Sequence, residues 1–119
     1  MRDFKRLKVW DKAHRLSLLV YKTTQSFPKE ELYGLTSQLR RCSASIPSNI
    51  AEGCGRDGAI ELRRYLRMAL GSASELEYQC LLARDLSLIS TSEHQRLDER
   101  ATEVKRMLAG LILKLTADS

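Results

Sequence analysis

The sequence predicts an all-α protein that folds as an antiparallel up-down-up-down four-helix bundle. Three observations support this fold class. Strong helix formers dominate the composition, while the 119 residues include only 2 prolines and 6 glycines. Apolar residues recur in four stripes at alternating three- and four-residue spacing, which is the spacing of one helix face. The connections between the stripes are short, so consecutive helices must pack as neighbours that run in opposite directions.

The first predicted helix covers about residues 7–27. Its stripe consists of Trp10, Ala13, Ser17, Val20, Thr24 and Phe27. Pro28 ends the helix, because a proline disfavours helical geometry in the residue before it. His14 lies beside the stripe, and we expect a half-buried histidine that is hydrogen-bonded to a neighbour.

The second predicted helix covers about residues 32–54 and contains a proline. Its stripe consists of Leu35, Leu39, Cys42, Ile46, Ile50 and Cys54. The stripe keeps its phase through Pro47, since Leu39 and Ile50 are separated by about three full turns. We therefore predict one continuous helix that is kinked at Pro47, where the ring displaces the carbonyl of Ser43.

The stretch SIPSNIAEGCGR, residues 45–56, combines this proline with a glycine-rich end. It has neither the spacing of a phosphate-binding loop nor a preceding strand, and a reactive thiol at Cys54 has little support. We predict that Asn49 lies at or near the bundle seam and fixes the helix register. Gly53 permits close helix contact, and Glu52 can pair with Arg56 four residues later. The structural signature of the stretch is thus Pro47, Asn49, Glu52 and Gly53.

The third predicted helix covers about residues 58–87, with Asp57 available as its N-terminal cap. Its stripe is the most regular in the chain and consists of Leu62, Leu66, Ala69, Ala73, Leu76, Cys80 and Ala83. A second apolar flank, larger than one bundle seam needs, consists of Tyr65, Leu70, Leu81, Leu86 and Leu88.

The fourth predicted helix covers about residues 92–116. A capping box formed by Ser90 with Glu93, or by Ser92 with Gln95, can start it. Its stripe consists of Leu97, Ala101, Val104, Leu108, Leu111 and Leu115. No run of apolar residues approaches the ~20 that a membrane span needs, so we expect a cytoplasmic protein without a membrane partner.

Catalytic and metal-binding patterns are missing from the sequence. Its 2 histidines, His14 and His94, stand in no Glu-x-x-His motif, and its 3 cysteines form no C-x-x-C pair. Glu75 and Glu77 point in different directions on a helix and cannot share a metal ion. We expect no metal, no cofactor and no enzymatic activity, with Cys42 and Cys80 serving as small buried hydrophobes.

Basic residues are concentrated in the first half of the chain, and the whole chain has a net charge of +5. The candidate nucleic-acid contacts are Lys5, Arg6, Lys8, Lys12, Arg15, Arg40, Arg41, Arg56, Arg63, Arg64 and Arg67. Such patches attract phosphates without reading sequence, and no helix-turn-helix, zinc-finger or RRM signature accompanies them. The alternative is that these residues form solvated faces, paired with Asp3, Asp11, Glu52, Asp57 or Glu61.

Three segments carry a resemblance to a known family. The run LKVWDKAH at 7–14, the run FPKEELYGLTSQLRRCSASIPSNIAEGCGR at 27–56 and the run LRRYLRMALGSASELE at 62–77 resemble the bacterial 23S rRNA intervening-sequence proteins. The match spans almost the whole chain in the family's order and spacing. That family is itself similar to the accessory variability determinant of diversity-generating retroelements, a basic homopentamer.

The resemblance implies a four-helix bundle that assembles with itself into a ring of five. It also implies a non-enzymatic function connected with RNA or DNA. The alternative is a protein–protein adaptor, in which the ring recruits a nucleic-acid-processing partner such as a reverse transcriptase.

Overall fold

The computed structural model describes residues 2–117 and is built from four long α-helices. These are α1 (Lys8–Thr24), α2 (Ser37–Cys54), α3 (Gly58–Asp85) and α4 (Thr91–Ala117). A 3₁₀ turn, Phe4–Arg6, precedes α1, and a second one, Lys29–Glu31, follows it. No strand occurs among the described residues. The all-helical, four-helix fold class is therefore confirmed.

The helices pack so that α1 contacts α2 and α4, while α3 contacts α2 and α4. The backbone N–H of Arg2 donates to the carbonyl of Cys54 at 2.8 Å, and Nε of Arg40 donates to Oγ1 of Thr24 at 2.9 Å. These are the contacts expected of neighbours that run in opposite directions. The bundle measures 46 × 22 × 19 Å, and none of the helices described is long and apolar enough to cross a membrane.

The core contains the apolar stripes of α2, α3 and α4. All predicted stripe residues of α2 and α3 are buried, and in α4 only Leu111 is half-buried. Burial of these side chains against one another is the main driving force for the fold.

The buried face of α1 is wider than predicted. Val9 and Leu16 are buried although neither belongs to the predicted stripe, while Trp10 and Phe27 are only half-buried. The reason is that α1 packs against both α2 and α4. The two contacts together bury a broader arc of the helix surface than a single stripe of residues occupies.

The ends of α1 and α2 differ from the predicted ones. Residues 25–27 form a turn in which the N–H of Phe27 donates to the carbonyl of Thr24. The segment Leu32–Thr36, predicted as the first turn of the second helix, is irregular because Gly34 has non-helical backbone angles. Regular α-helix therefore begins only at Ser37.

The N-terminal caps of α3 and α4 differ in kind. Asp57 occupies the cap position of α3, but its side chain makes no capping hydrogen bond there. In the cap of α4 the N–H of Ser90 donates to Oε1 of Glu93 at 2.8 Å, and the N–H of Glu93 donates to Oγ of Ser90 at 3.1 Å. The predicted capping box of Ser90 and Glu93 is thus confirmed.

The helix α2 runs through Pro47 without interruption, as predicted, and the bend at this residue stays a prediction.

Asn49 is not inserted in the seam, where Ile46 and Ile50 are fully buried. It is half-buried, and its Nδ2 donates to the carbonyl of Ser45 at 2.8 Å and to Oγ of Ser45 at 3.1 Å. The Ser45 hydroxyl in turn lies 2.6 Å from that of Ser72. Through Ser45, these hydrogen bonds link Asn49 to α3.

Gly53 lies at a close approach between α2 and α3. It is buried, and a Cβ atom placed on it would lie 2.8 Å from Cβ of Tyr65 and 3.1 Å from Cδ1 of Leu62. The predicted close contact at Gly53 is confirmed.

Candidate nucleic-acid interface

Two of the predicted basic clusters meet at one end of the bundle, although they are some fifty residues apart in sequence. The link between them is the hydrogen bond from the N–H of Arg2 to Cys54, and Arg2 and Arg56 line one small crevice. Arg63 connects this surface to the C-terminal end of α4, because its Nη1 donates to the carbonyl of Leu115 at 2.9 Å. We call this surface the basic end. It consists of Arg2, Lys5, Arg6, Lys8, Arg56, Arg63, Arg64 and Arg67.

Two guanidinium groups of the basic end lie against the ring of Tyr65. Arg64 is 4.6 Å and Arg56 is 5.5 Å from the ring centre. Each arginine also has a carboxylate partner: Arg64 Nε lies 2.9 Å from Glu61, and Arg56 lies 3.7 Å from Glu52. The predicted pair of Glu52 and Arg56 is confirmed. The hydrogen bond between Glu61 and Arg64 lowers the pKa of Glu61 and raises that of Arg64, so both stay charged.

Most other cations of the basic end are not neutralised by the chain itself. Arg2, Arg6, Lys8 and Arg67 are exposed and make no ion pair within residues 2–117. Lys5 is also exposed, with its ammonium group 5.8 Å from the centre of the Phe4 ring. Arg2 was not among the predicted contacts, and its hydrogen bond to Cys54 places it at this end of the bundle.

Two predicted contacts on α1 are partnered and lie outside the basic end. Lys12 pairs with Glu103 of α4 at 3.2 Å, and Nε of Arg15 lies 2.9 Å from Asp11. The structure therefore favours the alternative for these two residues, in which they belong to a solvated, ion-paired face, over a role in binding phosphate.

Arg40 and Arg41 lie towards the other end of the bundle. Arg40 stacks on Tyr21, 5.0 Å from the ring centre, in addition to its bond to Thr24. Both arginines line an open groove of about 720 Å³ beside Tyr33, whose side chain is 94% exposed. Neither tyrosine was among the predicted site residues. Sequence spacing gives no signal for Tyr21, because its contact joins α1 to Arg40 of α2.

His14 lies in a different environment from the predicted one. His14 is exposed and stacks on Trp10 with ring centres 5.0 Å apart and planes 6° apart, so the predicted half-buried, hydrogen-bonded histidine is wrong. The stacking follows from four-residue spacing on an exposed helix face. Within residues 2–117, no group of three or more His, Cys, Asp or Glu side chains could hold a metal ion.

All three cysteines are free and buried. Burial raises the pKa of Cys42 and of Cys80 to about 12. Burial also raises the pKa of Cys54, and the nearby charge of Arg2 only partly opposes this effect. Because the thiolate is the reactive form, Cys54 has no activated thiol.

We expect the free energy of unfolding to fall as the pH rises above about 9. An unfolded thiol ionises near pH 9.0, whereas folded Cys80 keeps its proton up to about pH 12, so stabilisation that is complete below pH 9 is lost progressively towards pH 12. Between pH 8 and pH 10.5, Cys80 alone should account for a loss of about 2 kcal/mol. Urea unfolding of the wild type and of Cys80→Ala at both pH values measures this loss. An equal loss in the two proteins would contradict the prediction.

The chain is similar to known proteins in sequence and in structure. The family model described as 23S rRNA-intervening sequence protein matches residues 5–110. A crystal structure of a protein with unknown function from the S23 ribosomal protein family, from Bacteroides thetaiotaomicron, superposes with a TM-score of 0.79 at 23% sequence identity. The superposition covers 87% of this chain and 97% of that chain, and it shows a shared fold. No curated protein matches the sequence significantly.

Proposed function

Since the chain belongs to the 23S rRNA-intervening sequence protein family, as its sequence motifs indicated, we propose that it is a non-enzymatic, homo-oligomeric bundle that associates with RNA or DNA. The contacts are made by the basic end, between its cationic side chains and phosphate groups. The number of subunits in the proposed assembly is five.

The observation that carries this proposal is the set of uncompensated cations at the basic end. The nearby carboxylates of Glu52 and Glu61 are already engaged by Arg56 and Arg64. Arg6 and Arg67 have no such partner within residues 2–117 and are exposed. A surface of this kind gives salt-dependent, sequence-independent attraction to phosphates. Phosphate contacts carry no sequence information, so we expect little sequence preference.

Fluorescence anisotropy of a labelled RNA hairpin at 50 and 200 mM salt tests the proposal. We expect micromolar binding at low salt that weakens steeply at the higher salt concentration. The double variant Arg6→Gln/Arg67→Gln should lower the slope of log affinity against log salt by about 2, because each lost phosphate contact accounts for about one unit.

The matched control is Arg96→Gln/Arg100→Gln. It removes the same charge from exposed positions on α4, outside the basic end. We expect its salt slope to stay near the wild-type value. Failure to bind at low salt, or an equal loss in both double variants, would contradict binding through the basic end.

Self-assembly is supported by apolar side chains on the outer face of α3. Part of the predicted second apolar flank packs within the chain itself: Tyr65 is buried, and Leu70 and Leu88 are half-buried. Leu81 and Leu86 remain exposed, together with three residues that the sequence analysis did not single out: Ile60, Met68 and Tyr78. Light scattering should give about five times the 13.6 kDa mass of one chain, and a strict monomer would rule out the ring.

A protein–protein adaptor is the second candidate function. It is favoured by the groove beside Arg40, in which Tyr33 and the partly exposed Leu32 could contact a partner polypeptide. Affinity capture with and without nuclease treatment distinguishes the two functions. A partner retained after nuclease treatment and lost in Tyr33→Ser would favour the adaptor.

A further inference from the structure

A polar crevice of about 280 Å³ lies between α2 and α3, separate from the basic end. Its lining residues are Gln38, Arg41, Cys42, Ser45, Ser72, Glu75 and Gln79. Hydrogen bonds between the two helices build its wall: the hydroxyls of Ser45 and Ser72 lie 2.6 Å apart, and the thiol of Cys42 donates to the carbonyl of Ser72 at 3.0 Å. The positions of these polar groups are therefore fixed by the fold.

Gln79 brings an unpaired hydrogen-bond acceptor to this crevice. The residue is only 5% exposed, and its Nε2 donates to Oε1 of Glu75 at 3.3 Å. Its Oε1 is buried and accepts no hydrogen bond within residues 2–117. A buried amide oxygen without a donor is unfavourable, so an N–H or O–H group that reaches Oε1 would stabilise this position.

The charge of the crevice determines which kind of donor fits. Glu75 places a carboxylate beside Gln79, and its Oε2 lies 3.6 Å from the sulfur of Cys42. A carboxylate and an amide oxygen together accept several hydrogen bonds and donate none, which suits a cationic group with several N–H donors. Arg41 is the cation that lines the crevice, and its Nη2 donates to Oγ of Ser37, one turn before it on α2.

We propose that this crevice is a binding site for a guanidinium or ammonium group that donates to Oε1 of Gln79 and to the carboxylate of Glu75. The group belongs either to a free small cation or to an Arg or Lys side chain of a second copy of this chain. Arg41 limits the affinity by charge repulsion. The site does not depend on the proposed association with nucleic acid.

The test is a titration of the ¹⁵N-labelled protein with methylguanidinium chloride and with methylammonium chloride, followed by ¹H–¹⁵N correlation spectra. Methylurea, which is neutral and close in shape to methylguanidinium, is the control ligand. We expect at least one of the two cations to shift the side-chain NH₂ signal of Gln79 and the backbone signals of Ser72 and Glu75 saturably. Methylurea should leave these signals unchanged.

Three variants make the test specific. Glu75→Gln should weaken binding at least tenfold, whereas Arg41→Gln should strengthen it. Glu99→Gln removes the same charge from an exposed carboxylate on α4 that accepts a hydrogen bond from Nε2 of Gln95, and it should bind like the wild type. No saturable shift with either cation, an equal response to methylurea, or unchanged affinity in Glu75→Gln would overturn the proposal.

Light scattering on the same proteins distinguishes the two sources of the cation. A lower mass for Glu75→Gln than for Glu99→Gln would identify the donor as a side chain of a second copy. Equal masses, combined with saturable binding of a probe, would identify a free small cation.

Discussion

Replacement of Gly53 by valine is expected to lower the free energy of unfolding by about 3 kcal/mol, because it overpacks the contact between α2 and α3. Even a single Cβ atom at this position would lie 2.8 Å from Cβ of Tyr65. That atom is attached directly to the backbone and cannot rotate away, so one of the two helices must shift. Urea unfolding followed by circular dichroism at a fixed protein concentration measures the loss.

Gly110→Ala is the matched control. Gly110 lies inside α4, where an added Cβ would have nothing within 4 Å. Alanine is the better helix former, so this variant should gain about 0.5–1 kcal/mol in the free energy of unfolding. If Gly53→Val is as stable as the wild type, the close approach of α2 and α3 at Gly53 is wrong.

Replacement of Leu16 by alanine is expected to lower the free energy of unfolding by about 3 kcal/mol, through lost apolar burial and the cavity that remains. Leu16 is 0% exposed on α1, and it belongs to the core although it lies outside the predicted stripe. The same urea unfolding experiment applies.

Leu18→Ala is the control for this substitution on the same helix. The Leu18 side chain is 57% exposed, so its truncation should change the free energy of unfolding by less than about 0.5 kcal/mol. Equal losses at Leu16 and Leu18 would show that α1 is rotated relative to the bundle described here.

Much of the fold could be predicted because helix periodicity is a local property. The seven stripe residues of α3 are all buried, from Leu62 to Ala83, and the capping box of Ser90 and Glu93 forms as its spacing indicates. The start of α2 was harder to predict, because Gly34 allows backbone angles that the pattern of apolar residues does not record.

The candidate site could be predicted only in part. The basic residues were visible as clusters, but their charge balance depends on partners that are distant in sequence, such as Glu103 for Lys12. The contact of Arg2 with Cys54 and the stacking of Arg56 on Tyr65 likewise require two elements to meet. Side-chain spacing along one helix gives no information about such contacts.

The sequence by itself determined the helices, the residues of most of the core and the family, since each depends on residue order and local spacing. The tertiary structure alone decided which cations have no ion pair within residues 2–117 and that Asn49 contacts Ser45 rather than the seam. It also decided that Gln79 has a buried oxygen with no donor in that part of the chain. The physical reason is that burial and pairing depend on distances between helices. Those distances are set by the packing of the whole bundle, as at Gly53.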